Sequence, residues 1–335
     1  MLEWMDTPED VLSHAVLYMR IYFIGMPAML VYNFGAAILR AIGDTRRPLY
    51  YLLSAGVINV ILNLFFVIVL DMGVAGVATA TVISQIVSAI LIVRCLMHSD
   101  GIYRLDLHEL KIYKRKMVHI AKIGLPAGVQ GAVFSLSNVL IQSSVNSFGS
   151  IAMAGNTAAG NIEGFVYTSM NAVYQTALSF TSQNVGGERQ DRIPKIVFQC
   201  LAIVTVVGAV LGNLAYQCGP FLLNIYSSDP EVIQYGMSRM QIICQWYFLC
   251  GIMDVAVGIL RGMGYSVMPM LVSLAGACGL RVLWIFTVFV WKHSLFVLYL
   301  SYPITWTITL AVHFICFFVI WKRKKGAWAM VKVAE

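Results

Sequence analysis

The chain has 335 residues, of which 59% are hydrophobic and 12% charged, with a formal net charge of +7. That balance and a mean hydropathy of +0.77 exclude an ordinary soluble domain, in which about 25% of residues are charged. The positive excess sits in short connecting stretches and in the C-terminal WKRKKG, which reads as membrane orientation rather than as a nucleic-acid-binding face.

Apolar runs near 20 residues recur along the chain, so an all-α, polytopic membrane helix bundle is predicted. Nine helices are expected, at about 9–40, 47–70, 73–97, 120–148, 150–183, 193–217, 231–261, 266–291 and 294–321. TPED precedes the first and SDPE the seventh, both capping signals. The expected organisation is a three-helix N-terminal part (1–97), a connecting loop (98–119), a six-helix part (120–321) and a basic tail (322–335). Of the 23 Lys and Arg residues, 19 fall on one side of a nine-span topology, so that side and the C-terminus are expected to be cytoplasmic and the N-terminus outside. The N-terminal MLEWMDTPEDVLSHA lacks the basic start of a removable signal. The seven cysteines are scattered, with no C-x-x-C and no Cys/His cluster, so neither a disulfide framework nor a zinc site is expected.

The first helix ends in ILRAIGDTRRP (38–48), and the seventh in ILRGMGYSVMP (259–269). Arg40, Gly43 and Pro48 therefore recur as Arg261, Gly264 and Pro269, with Gly permitting a turn and Pro starting the next helix. Upstream, 7–25 resembles 228–246 with a one-residue slip. Both copies run in the same sense, as in parallel transporter repeats, where a site lies between the halves. Three spans precede the second copy and none the first, so the chain is expected to be the C-terminal three-quarters of a twelve-helix protein.

The segment ILRAIGDTRRPLYYLLSAGVINVILNLFFV, followed by MGVAGVATATVISQ, resembles spans four to six of a MATE (multidrug and toxic compound extrusion) transporter of the NorM/DinF-like kind. KIGLPAGVQGAVFSLSN, SFTSQNVGGERQDRI and GILRGMGYSVMPM resemble its seventh, eighth and tenth spans, and the similarity runs over residues 7–321. The resemblance implies two helical lobes around a central cavity, the N-terminal lobe here lacking the family's first three spans. It also implies drug efflux driven by inward flow of Na+ or H+. Two departures leave the coupling ion open: LPAGVQGAVF lacks the acid that one sodium-coupled branch carries, and Asp254 is offset from that branch's acid in the tenth span.

Acids inside a bilayer are costly and mark function. Glu163 lies 13 residues into the fifth span, about 20 Å along a helix. Asp254 lies seven residues before Arg261, about 10 Å from that helix end. Both are candidates for binding Na+ or exchanging a proton, since a carboxylate is a hard oxygen ligand. The alternative for each is a carboxylate satisfied by a neighbouring Arg, Asn or helix end. Asn156, Tyr167, Asn171 and Gln175 share the fifth span with Glu163, and Asn138 and Gln142 form an i, i+4 pair in the fourth. These six are expected to line a polar substrate cavity, whereas Asn161, at i−2, faces elsewhere. Arg281 is read as essentially the one membrane-embedded arginine, in a counter-ion role. Asn59 with Asn63 reads as helix packing, and His313 as core. Gly186-Gly187 is a turn, because no phosphate-loop pattern accompanies it.

The 17 Met and the many aromatic residues suit apolar cations. The leading expectation is therefore a secondary antiporter exporting organic cations for Na+ or H+, acting as a monomer in the plasma (inner) membrane. No cofactor, no metal beyond a Na+ site, and no partner besides substrate and lipid are expected. A flippase of lipid-linked sugars would need a more cationic cavity, and a transport-incompetent fragment is the other alternative. No motif supports an intramembrane enzyme.

Overall fold

The computed structural model describes residues 9–334, with side chains from residue 12 to residue 323. The TPED cap and the final basic side chains thus lie outside the described side chains. Helix dominates and no strand occurs among the described residues. The chain divides into two compact units, Met1–Ile112 and Tyr113–Glu335.

In the first unit, α1 (Glu9–Ala41) and α2 (Arg46–Leu64) both pack on α3 (Gly73–Met97). Tyr32 of α1 donates a buried 2.9 Å hydrogen bond to the Pro48 carbonyl, fixing the start of α2. Asn63 donates to Asn59 at 3.0 Å, and Asn59 reaches Ser84 of α3 at 3.4 Å, the packing role expected of this pair.

The second unit holds α4 (Lys114–Asn146), α5 (Ser150–Gly186), α6 (Ile193–Gln217), a short α7 (Gly219–Asn224), α8 (Pro230–Ile243) and α9 (Tyr247–Gly262). α10 (Val267–Ser273) and α11 (Leu280–Trp284) are joined by the π-helical Leu274–Gly279, and α12 (Leu295–Ala334) closes the chain. Seven described helices are long and apolar enough to cross a membrane, and the α8/α9 pair makes an eighth. α5 has 37 residues but is too polar to be counted with them. The multi-pass membrane fold expected from the sequence is therefore the one observed.

Three boundaries differ from expectation. The seventh span is a pair of helices bent by 50° at Cys244–Trp246, where no Gly or Pro announces a break. The Cys244 carbonyl, which accepts from Tyr247 N at 3.4 Å, faces α6 at Gly212, where any side chain would collide with it. α4 begins at Lys114 rather than 120, and α12 runs on through the basic tail, because Lys and Arg are good helix formers.

The duplicated helix ends are the same structure. Gly43 has φ +89° and Gly264 φ +91°, a left-handed conformation that favours glycine. Gly43 N donates to Arg40 O and Asp44 N to Leu39 O; Gly264 N donates to Arg261 O and Tyr265 N to Leu260 O. Both are Schellman closures. Pro48 and Pro269 each occupy the third position of the helix that follows.

α5 packs against α6, α8 and α9 at the centre of the second unit. It meets α8 at Gly155 and Gly236, the small-residue contact that lets helix backbones approach. A Cβ on Gly155 would lie 2.5 Å from the Val232 carbonyl oxygen, whereas one on Gly164 would meet nothing within 4 Å. Gly155→Ala should therefore destabilise the protein by about 1–3 kcal/mol through overpacking. Gly164→Ala should be neutral or stabilising by up to about 1 kcal/mol. Thermal unfolding of the purified variants checks this; equal melting temperatures would remove the close approach.

Candidate functional site

A cavity of about 710 Å3 lies among α4, α5, α8, α9, α11 and α12, entirely within the second unit. Its polar wall is α5, which explains why that helix is too hydrophilic to face lipid. Asn138, Gln142, Asn156, Glu163, Tyr167, Asn171 and Asp254 all line it. Gln175 does not; it is exposed and lies just beyond Tyr174, the last residue of α5 on the cavity wall. Asn161, expected to face elsewhere, lines the cavity too, since α5 presents a face wider than one stripe.

Glu163 is engaged rather than free. Arg239 of α8 grips it with both sides of its fork, Nε to Oε1 at 2.8 Å and Nη2 to Oε2 at 2.6 Å. The third guanidinium nitrogen donates to Asn156 Oδ1 at 2.7 Å, and Asn156 Nδ2 donates to Gln142 Oε1 at 2.8 Å. The Tyr299 hydroxyl adds a 3.2 Å bond to Asn156 Oδ1. One bidentate ion pair thus joins α5 and α8 and extends by hydrogen bonds to α4 and α12. Glu163 is 4% exposed, so both charges depend on this pairing.

Asp254 of α9 sits differently. No Lys, Arg or His among the described residues forms an ion pair with it. Tyr167 lies against its carboxylate, and Arg261 supplies the positive charge that acts on it. Arg261, expected only to shape a helix end, also lines the cavity. It donates to the Tyr174 hydroxyl and to Gln130 Oε1, each at 2.8 Å.

Arg281 is therefore not the single embedded arginine that the sequence suggested: Arg239, Arg261 and Arg281 all line the cavity. Sequence reasoning missed Arg239 because it sits in MSRMQII, where one charge within an apolar helix names no partner. Arg281 forms no ion pair among the described residues; its guanidinium lies 4.1 Å from the Tyr302 ring centroid instead. An aromatic wall continues from there, with Tyr302 edge-on to Trp306 at 5.6 Å and Trp306 stacked with Tyr247 at 5.5 Å. His313 is buried and bonded to Ser273 at 3.1 Å, a packing role away from the cavity. No group of three His, Cys, Asp or Glu side chains suited to a metal occurs among the described residues.

Removing one partner of a buried pair strands the other charge, at about 3–5 kcal/mol. Arg239→Gln and Glu163→Gln should each lower the melting temperature accordingly, and the double variant Arg239→Gln with Glu163→Gln should recover most of the loss. A double-mutant cycle by thermal unfolding reads the coupling; a coupling near zero would mean that the pair does not hold α5 to α8.

The MatE family pattern matches residues 1–65 and 126–287. The chain is 27% identical over 338 residues to the probable multidrug resistance protein YoeA of Bacillus subtilis (strain 168), covering 97% of this chain and 72% of that protein. It is also 27% identical over 288 residues to the probable multidrug resistance protein YpnP of the same organism, covering 84% of this chain and 63% of that protein. Among solved structures, a Vibrio cholerae MATE transporter superposes with a TM-score of 0.87 at 18% identity, over 96% of this chain and 73% of that one. That likeness shows the fold. The family match extends over more than half of the chain, on both sides of residues 66–125, and the chain belongs to the MatE family of multi-pass membrane transporters.

Proposed function

We propose that this chain provides the transport cavity of an exporter of drug-sized organic compounds, driven by exchange for Na+ or H+. The observation that carries the reading is Asp254: a carboxylate on the wall of a large intramembrane cavity, with a phenol beside it and no ion-pair partner among the described residues. Such a group can take up a hard cation or a proton and release it when the cavity rearranges. The cavity volume falls within the range of about 300–1,000 Å3 usual for small-molecule sites. Its aromatic wall suits flat apolar compounds, organic cations among them. The multidrug resistance names of the two Bacillus relatives agree with this reading.

Glu163 has a second part in the scheme. Its carboxylate is held by Arg239, so it can accept an ion only when that pair opens. Asp254 is accordingly the coupling residue, and the Glu163–Arg239 pair the element whose opening and closing accompanies it. The concentration of basic residues on one side of the expected topology supports a cytoplasmic C-terminus. The flippase alternative is weaker: the acids Glu163 and Asp254 stand against the three cavity arginines, Glu163 pairing Arg239 directly, and this volume fits a drug rather than a lipid-linked oligosaccharide.

The test is flux in proteoliposomes under an imposed Na+ or H+ gradient, with an ethidium-like cation as cargo. Asp254→Asn should reduce gradient-driven flux at least tenfold, while binding of the cation to the purified protein changes by less than a few-fold. Gradient-driven flux equal to that of the unaltered protein would remove Asp254 from the coupling role. The gradient that drives flux in the unaltered protein identifies the ion.

A further inference from the structure

Arg281 is 3% exposed, lines the cavity, and has no carboxylate within ion-pairing distance among the described residues. The one buried acid on the other side of the cavity, Glu163, is fully used by Arg239. The direct contacts of Arg281 are uncharged, and the nearby cation Arg239 shares the Tyr302 ring with it. One terminal nitrogen donates to Thr305 Oγ1 at 3.1 Å, the guanidinium carbon lies over the face of Tyr302, and the buried Nε has no partner at all. Thr305 can only accept from it, because its own hydroxyl hydrogen is directed to the Ser301 carbonyl at 2.7 Å. A buried guanidinium on a cavity wall with one donor unused is a costly arrangement unless an anion completes it.

The backbone around it is also unusual. Arg281 sits in a five-residue helical turn between two π-helical segments, Leu274–Gly279 and Ile285–Phe289. Such widened turns cluster at functional sites. They bring Arg281 to the aromatic wall formed by Tyr302 and Trp306.

We infer that Arg281, with Thr305 and Tyr302, is an anion-recognition site in this cavity, taking the carboxylate or phosphate of an aromatic compound whose ring lies along Trp306. The inference rests on the reading of the cavity as the transport site, and it widens the cargo from aromatic cations to aromatic compounds bearing an acidic group. Arg261 adds favourable potential on a neighbouring wall, while Asp254 keeps a place for a cation.

The test is binding to the full chain in detergent, followed by tryptophan fluorescence and calorimetry without any ion gradient. It is thus independent of whether Asp254 couples transport. The probes are 2-naphthoate, 2-naphthylmethylammonium and inorganic phosphate, with Arg281→Gln and Arg281→Lys as variants. 2-Naphthoate should bind the unaltered protein, weaken at least tenfold in Arg281→Gln and recover in part in Arg281→Lys, while the ammonium probe is unaffected. Arg281→Gln should fold with a melting temperature no lower than the parent's, since it removes an unpaired buried charge; Arg281→Lys keeps the test valid should the Gln variant fail to fold. No binding of 2-naphthoate to the unaltered protein, or equal binding to both variants, would overturn the inference. So would Arg281-dependent binding of inorganic phosphate without 2-naphthoate, which would make this the seat of a small resident anion.

Discussion

A charge on a helix inside a bilayer-spanning bundle must be answered by something nearby, because water is not available to solvate it. In this protein the buried Arg239–Glu163 pair is one such demand, and four helices of the second unit meet at it. α5 and α8 approach closely at Gly155 and Gly236, so the fork of Arg239 can reach both carboxylate oxygens. Asn156 uses the remaining donor of that fork and passes the network to Gln142 of α4, while Tyr299 of α12 bonds the same amide oxygen. A single ion pair thereby sets the relative placement of four helices.

The bend between α8 and α9 serves the same constraint. A straight helix from 231 to 261 would carry Arg239, Asp254 and Arg261 at fixed angles about one axis. With a 50° change of direction, α8 delivers Arg239 to Glu163 while α9 turns Asp254 and Arg261 to another stretch of the same cavity wall. The cavity charges are then answered in three ways. Arg239 has a carboxylate, Arg261 has an amide oxygen and a phenol, and Arg281 has an aromatic face and a hydroxyl. These differ in how readily they yield to a bound molecule: the bidentate pair is a structural clamp, whereas the last arrangement leaves a donor unused.

The internal repeat shows how one local solution acquires two duties. Both copies close with the same left-handed glycine and the same pair of backbone hydrogen bonds, a structure that ten or so residues specify locally. In the second copy, Arg261 joins the wall of the cavity because Gln130 of α4 and Tyr174 of α5 stand opposite it, and that depends on the helices packed around it.

The sequence by itself determined the membrane class, the approximate places of the helices, the polar character of α5 and the form of the repeated helix ends. Each of these follows from composition, from helical periodicity or from a short turn motif, all local quantities. It also marked Glu163, Asp254 and the amides of α4 and α5, since a polar residue in an apolar run stands out without knowledge of its neighbours. Only the tertiary structure decided that Glu163 is paired with a residue 76 positions away, that Asp254 has no such partner among the described residues, and that three arginines rather than one reach the cavity. It likewise decided the break at Cys244–Trp246, which no glycine or proline foretells, and placed Asn161 in the cavity and Gln175 outside it. The physical reason is common to all of these: whether a buried charge is satisfied depends on the angle and distance at which helices cross, and those are set by close packing between segments far apart in the chain.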